Sequence, residues 1–317
     1  MPPQKPKSSP RIYPPRPTPE LPPEVVDPIW LLKALGISFA AALLCAYATL
    51  CLLFYQGEWQ LILHPTHTVD RTPTTVGLAY NDVHLDSAET GQPRLSAWWI
   101  PATPTTGFQP GYATPTILYL HDGSGSLSDT MPVLSLLHSA GANIFAIDYR
   151  GFGTSDSSHH PSETSMTEDT AAALDYLTAT RHIPAPTIIP YGTGLAASLA
   201  ANLAHTRPRL PAFILDNPIP DPAAIAVAAH PSHLVPVRLL FGNQFNIATP
   251  LASLATPKLL ISGGPTAPTP QPDPNALQSL FTHAASPRTT VSLPDRNTSQ
   301  AYLQTLSQFF DQHLPRR

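Results

Sequence analysis

The stretch Ile188-Ile189-Pro190-Tyr191-Gly192-Thr193-Gly194-Leu195-Ala196-Ala197-Ser198-Leu199-Ala200 decides how the chain is read. A short apolar run meets two glycines spaced by one residue, and a run of alanines and leucines follows. Strand, tight turn and small-residue helix is the pattern, since glycine closes the turn and small side chains let a helix lie close to a sheet. The crest of such a turn is a place from which a side chain projects, and here the crest residue is Gly194. Pro190 is a second oddity, because it removes a ladder donor from a strand that should be central.

The same rhythm extends outward from this turn. Residues 77–87 and 94–102 read as antiparallel strands joined by a turn at Gly91. Thr116–Asp122 precedes a helix beginning near Ser128, and Ala142–Arg150 precedes a helix through residues 168–177. Ala212–Asn217, Lys258–Gly264 and Thr289–Asp295 are further apolar runs, and a last helix is expected over Ser299–His313. Apolar strands alternating with helices predict an α/β fold with a mostly parallel central sheet, flanked by helices on both faces.

Composition sets the boundaries of this domain. The chain has 317 residues with a formal net charge of −4, and 12% of its residues are charged. Without a basic excess to neutralise phosphates, nucleic acid is not an expected partner. Residues 1–28 are rich in proline and poor in apolar side chains, which predicts a disordered tail. Residues 29–56 form the next unit, and within it Ala34–Tyr55 carries no charged residue over a length that crosses a bilayer core of about 30 Å. Lys5, Lys7, Arg11, Arg16 and Lys33 precede that run. This flank predicts a single-pass helix with a cytoplasmic N-terminus and an exported, periplasmic or extracellular C-terminal domain. A cleaved signal peptide is the competing reading, disfavoured because no small-x-small site follows the apolar run. Cys45 and Cys51 both fall inside that run, so no disulfide framework is expected. Residues 57–317 are left as one folded domain.

Several ordered segments of that domain resemble the α/β-hydrolase fold, and within it the membrane-anchored Bem46-like serine hydrolases. They are LILHP, LSAWWIPA, LYLHDGSGSLSD, IDYRGFGTSD, EDTAAALDYL and PKLLISGG, spread over residues 59–313. The resemblance implies a serine in a G-x-S-x-G turn, an oxyanion loop after an earlier strand, an acid after the seventh strand and a histidine before the last helix. In such a site the histidine takes the serine's proton, the acid orients the histidine, and backbone amides stabilise the oxyanion. The IIPYGTGLAASLA turn aligns with the nucleophile motif, which places Gly194 at the nucleophile position and Ala196 at the second glycine. The acid position falls on Thr266 and the base position on Arg296, whose guanidinium stays protonated near neutral pH. The oxyanion loop maps to His121, Asp122 and Gly123, with the amide of Leu195 as the second donor. Asp122 stands where relatives carry glycine, and a carboxylate aimed at an oxyanion hole would oppose the charge that the hole stabilises. Asp216 is an alternative acid, or a hydrogen-bond acceptor that orders its loop.

Three substitutions in three separate segments predict a hydrolase scaffold without a working triad, hence a binding protein. Its partner would be a lipid-like or acyl ligand in the cleft, or a membrane or periplasmic protein. An active serine-type hydrolase with a displaced nucleophile, acting on esters, lipids or peptides, is the alternative. A purely structural role in a membrane complex is a third. His159-His160 and His230-x-x-His233 lack a Cys or carboxylate at ligand spacing, so no metal is expected, and no phosphate-cradling or dinucleotide fingerprint points to a cofactor.

Overall fold

The computed structural model describes residues 27–86, 93–103, 113–229, 235–264, 266, 272–293 and 299–316. The turn expected at Gly91 and nearly all of the proline-rich tail lie outside these residues. The chain divides into two compact units, Met1–Leu50 and Cys51–Arg317. Helix α1 (Pro28–Gly57) has no buried residue and continues into a single 3₁₀ turn at Glu58–Leu61. Large apolar side chains such as Leu35 and Ile37 stay exposed along it. With a mean hydropathy of 2.2 over its most apolar window, it is long and apolar enough to cross a membrane or to act as a signal sequence.

Eight strands form one sheet: β1 (Asn81–Asp86), β2 (Pro93–Ile100), β3 (Thr116–Leu120), β4 (Asn143–Asp148), β5 (Ile188–Thr193), β6 (Phe213–Asp216), β7 (Lys258–Gly263) and β8 (Arg288–Leu293). Their order across the sheet is β8-β7-β6-β5-β3-β4-β2-β1. Strand β2 runs antiparallel to β1 and β4, and all other pairs are parallel. Every residue of β3 is buried, which is how a central parallel strand reads as an unbroken apolar run.

Alternate residues of these strands feed two separate cores. Leu118, Leu120, Phe145 and Ile147 face one layer, where α3 (Glu163–Asp175) supplies Met166 and Leu174 and α4 (Ala197–Thr206) supplies Leu199 and Leu203. Ile117, Tyr119, Ile144 and Ile189 face the other, packed on Leu134 of α2 (Met131–Ser139) and on Leu306 and Phe310 of the C-terminal helix Ser299–His313. Four further helices are the part that sequence periodicity did not assign. They are α5 (Pro222–Ala229), α6 (Val237–Phe241), α7 (Ala248–Ser253) and α8 (Pro274–His283); the last helix is therefore α9. Each of α5 to α7 spans one or two turns, too short for a helical apolar period to stand out.

Pro190 is accommodated by where pairing starts. It pairs with Leu118 on the β3 side, while the ladder to β6 begins only at Tyr191. Helix α3 begins at Glu163, earlier than the apolar pattern suggests. Ser162 caps it: its hydroxyl accepts the Ser165 N–H at 3.1 Å, and the Ser165 hydroxyl accepts the Ser162 N–H at 2.9 Å. The turn after β4 is tied to this helix through Asp169, which is 1% exposed. Asp169 accepts the Arg150 backbone N–H at 2.9 Å and its Nε at 2.7 Å. Arg150 also meets Glu168, whose side chain is mostly in solvent. Replacing Asp169 with Ala strands a half-buried guanidinium and is expected to cost about 3 kcal/mol in urea unfolding. Glu168→Ala, on the solvent side of the same arginine, should cost less than about 1 kcal/mol.

Candidate functional site

The turn at the end of β5 is held by two glycines for two different reasons. A Cβ on Gly192 would lie 2.4 Å from the Ala196 carbonyl oxygen and 2.8 Å from the Ala197 Cα, so only glycine lets α4 close onto the strand. Gly194 sits at φ +56°, the left-handed region that lifts a crest residue above the sheet. A 3₁₀ turn, Gly194–Ala196, then leads into α4. Ala196 is fully buried in the place of the second glycine.

The space above Gly194 is filled by Asp122. A Cβ on Gly194 would stand 2.3 Å from Asp122 Oδ1 and 2.4 Å from its Cγ. That oxygen accepts the Leu195 N–H at 2.8 Å and the Gly123 N–H at 2.7 Å. These are the two backbone donors that an oxyanion hole on this turn would use, and both point at one carboxylate oxygen. The side chain from the oxyanion loop therefore turns inward, into the position where a nucleophile's oxygen would be found. Burial pushes the Asp122 carboxyl above its ordinary range, while the two amides and the neighbouring imidazoles of His121 and His64 pull the other way.

His121, also on this loop, is 1% exposed and does not face the turn as a base. Its Nδ1 lies 2.7 Å from the Asp122 carbonyl oxygen, and its ring packs on Tyr149 and Phe152. Its Nε2 is 3.3 Å from Asp148 Oδ1 without closing a hydrogen bond. Asp148 Oδ1 accepts the Leu127 N–H at 2.9 Å, so this aspartate orders the loop that carries Asp122. The segment after α1 braces the same loop from outside: His64 N–H donates to the Gly123 carbonyl and Thr66 N–H to that of Gly125.

Asp216, at the end of β6, is fully buried and has no imidazole partner among the described residues. Oδ1 accepts Asn217 Nδ2 at 2.8 Å and the Thr266 hydroxyl at 2.9 Å. Oδ2 accepts the Tyr302 hydroxyl at 3.0 Å and a close hydrogen bond from Tyr191. Four donors from β5, the loop after β6, the loop after β7 and helix α9 thus converge on one carboxyl group. Burial raises its pKa and the four donors oppose that rise. Thr266, at the acid position, is one of the donors. Arg296, at the base position, lies outside the described residues, as do His230 and His233.

Tyr191 and Tyr302 were not singled out by sequence. Their only signals are a hydroxyl inside a buried strand and one inside the apolar stripe of the last helix, 111 residues apart.

The hydroxyls near the turn are otherwise engaged. Thr193 Oγ1 donates to the Leu120 carbonyl at 3.3 Å, and buried Ser198 donates to that of Leu195 at 2.8 Å. Ser124 is exposed in a two-residue pairing with His64–Pro65. A hydroxyl–imidazole contact does occur elsewhere, between Ser158 and His159 at 2.9 Å, on an exposed loop where Ser158 also meets Asp156. His283 and His313 end α8 and α9; the first contacts the Ser279 carbonyl and the second the Phe309 ring. Among the described residues no group of three His, Cys, Asp or Glu side chains is placed to hold a metal. A cavity of about 690 Å³ reaches Asn217 and is lined by Leu277, Gln278, Phe281, Arg288 and Leu293 among others.

Sheet order, elbow turn and paired amides define the α/β-hydrolase class. Solved structures agree on the fold. An esterase of Pyrococcus furiosus superposes with a TM-score of 0.60 at 18% identity, covering 80% of this chain and 99% of that one. An acetyl xylan esterase from Paenibacillus gives 0.55 at 19% identity, covering 83% and 94%. Residues 113–285 match the Hydrolase_4 family, described as "Serine aminopeptidase, S33", and the chain belongs to that family, among its Bem46-like members. Among curated relatives, an uncharacterized protein of Mycobacterium tuberculosis, Rv2307c, is 26% identical over 77% of this chain and 81% of its own length. The alpha/beta hydrolase domain-containing protein WAV2 of Arabidopsis thaliana is 30% identical over 46% of this chain and 45% of its own length. The protein bem46 of Schizosaccharomyces pombe is 35% identical over 32% and 34% respectively.

Placing a serine at the crest tests this geometry. Gly194→Ser introduces a Cβ into the Asp122 carboxylate at positive φ, and is expected to destabilise the domain by about 2–4 kcal/mol without giving esterase turnover. Adding Asp122→Gly removes the clash and should recover most of that stability, still without turnover on p-nitrophenyl esters. Turnover in the single variant would reveal a base outside the residues described above.

Proposed function

We propose that this chain is a membrane-anchored α/β-hydrolase-fold protein that does not hydrolyse esters or amides, and that its inherited cleft binds a ligand or a protein partner. The observation that carries this reading is the Asp122 carboxylate. It accepts both amides that would stabilise an oxyanion, and it takes the volume of any side chain at Gly194. A substrate carbonyl entering here would have to displace a carboxylate and would then find no hydroxyl to attack it. Even with both amides free, a site without a triad keeps only about 10³–10⁴ over water, small beside the 10⁶ or more of ordinary enzymes.

A binding role is supported by how much of the scaffold persists around the missing chemistry, and by the cavity that reaches Asn217. Its lining mixes Leu277, Phe281, Val291 and Leu293 with Arg288 and Gln278, a combination that suits an acyl ligand with an anionic or polar head. Helix α1 serves as the anchor. Its basic flank leaves the N-terminus in the cytoplasm and the folded domain on the exported side.

Incubation of the full chain in detergent with a fluorophosphonate probe tests the reading. No serine should label above the background of heat-denatured protein, and a fatty acid should raise the melting temperature. Stoichiometric labelling of one serine, Ser158 or Ser124 included, would instead establish the active hydrolase with a displaced nucleophile.

A further inference from the structure

A second cavity, of about 390 Å³, opens away from the Gly194 turn and shares no lining residue with it. Tyr55 from the last turn of α1, Glu58, Trp59, His160, Glu163 and Gln244 surround it. Glu58 is 5% exposed. Its Oε1 accepts Gln244 Nε2, but its Oε2 is buried with no hydrogen-bond partner. A buried carboxylate oxygen without a donor is costly, and such groups are ordinarily paired. Glu163, on the same cavity, is half-buried and held above its ordinary pKa by that burial. It has partners of its own, the Phe245 N–H and the first turn of α3. Among the described residues no lysine or arginine lines the cavity. Trp59 stacks on His160 with ring centres 5.3 Å apart and planes within 8°, which makes one wall a flat aromatic surface.

Among the described residues Glu58 Oε2 is therefore left without a donor, beside a cavity open to one. We infer that this cavity binds a primary ammonium group, which donates to Glu58 Oε2 and lies against the Trp59–His160 wall with Glu163 as a second negative pole. Three features select this chemistry. The orphaned oxygen takes a hydrogen-bond donor, which an ammonium N–H supplies and a quaternary ammonium lacks. Aromatic rings tolerate an organic cation at their face. The carboxylates are too few for a metal, because among the described residues no three ligand-type side chains converge. Tyr55 and Gln56 belong to the last turn of the apolar helix α1, so the ammonium can come from a free amine or from an aminophospholipid headgroup.

Calorimetric titration of ethanolamine into the full chain in maltoside micelles tests the site, with tetramethylammonium as a cation that cannot donate. Ethanolamine should bind saturably, and tetramethylammonium about tenfold more weakly or less. Glu58→Gln keeps the shape and the neutral hydrogen bond to Gln244. It should weaken ethanolamine binding about tenfold to a hundredfold, the range for losing a hydrogen bond to a charged group, while the melting temperature holds or rises. Glu163→Gln should weaken it less, and it provides the readout if Glu58→Gln fails to fold. Micelles doped with phosphatidylethanolamine separate the sources. Loss of ethanolamine binding there, but not with phosphatidylglycerol, assigns the headgroup; retained binding with both lipids assigns a free amine. Absence of saturable ethanolamine binding, or equal binding by wild type and both variants, overturns the inference. Neither result depends on whether the domain hydrolyses anything.

Discussion

The functional end of the domain is organised by one carboxylate meeting two backbone amides. Asp122 leaves the oxyanion loop after β3, crosses to the β5 turn and accepts from Leu195 and Gly123 at normal hydrogen-bond lengths. The arrangement requires a glycine at position 194, because any Cβ there would coincide with the carboxylate. It also requires an anion at the place where a hydrolase of this class develops one during the reaction. Gly194 and Asp122 are thus one steric and electrostatic unit: the crest carries no side chain, and one from across the cleft occupies the volume a Cβ would need. Asp216 is a second such unit. Its four donors tie three strand-end segments to the last helix. Where a catalytic acid would hold an imidazole, this carboxyl holds Thr266, Asn217 and two tyrosines.

These units depend on the sheet beneath them. Gly192 lets α4 approach β5, and α4 buries Leu199 and Leu203 into the same core as β3 and β4. The opposite core joins α9 to β5 through Tyr302 and Tyr191, so the Asp216 cluster is also a packing joint between a helix and the sheet. The short pairing of His64–Pro65 with Ser124–Gly125 fixes the outer side of the oxyanion loop. Features normally read as catalytic preparation, a positive-φ crest and a braced loop, here position hydrogen bonds within the chain.

The fold was legible because each strand carries its own signal. Fully buried parallel strands read as short apolar runs, and the two glycines mark the turn without any knowledge of distant residues. The place of Gly194 at the end of β5 and of Thr266 after β7 was legible for the same local reason. What could not be read was the direction of a side chain. An aspartate after His121 is equally compatible with facing the cleft or facing solvent, and only the backbone path of the loop sets it inward. The tyrosines around Asp216 were hidden because Tyr191 and Tyr302 meet across 111 residues, with no spacing rule to link them. The helices between β6 and β7 were missed because one or two turns do not establish a period.

The central claim is that the Leu195 and Gly123 amides are occupied by the Asp122 carboxylate. It is tested most directly by following those two amide resonances through a pH titration of the full chain labelled with ¹⁵N-leucine and ¹⁵N-glycine in detergent. Burial raises the Asp122 carboxyl, so the folded protein releases that proton above the ordinary value of 3.8. Both amides should therefore move together with one inflection above that value, and the inflection should vanish in Asp122→Ala. Two amides that ignore pH in the wild type, or that titrate unchanged in Asp122→Ala, would contradict the account.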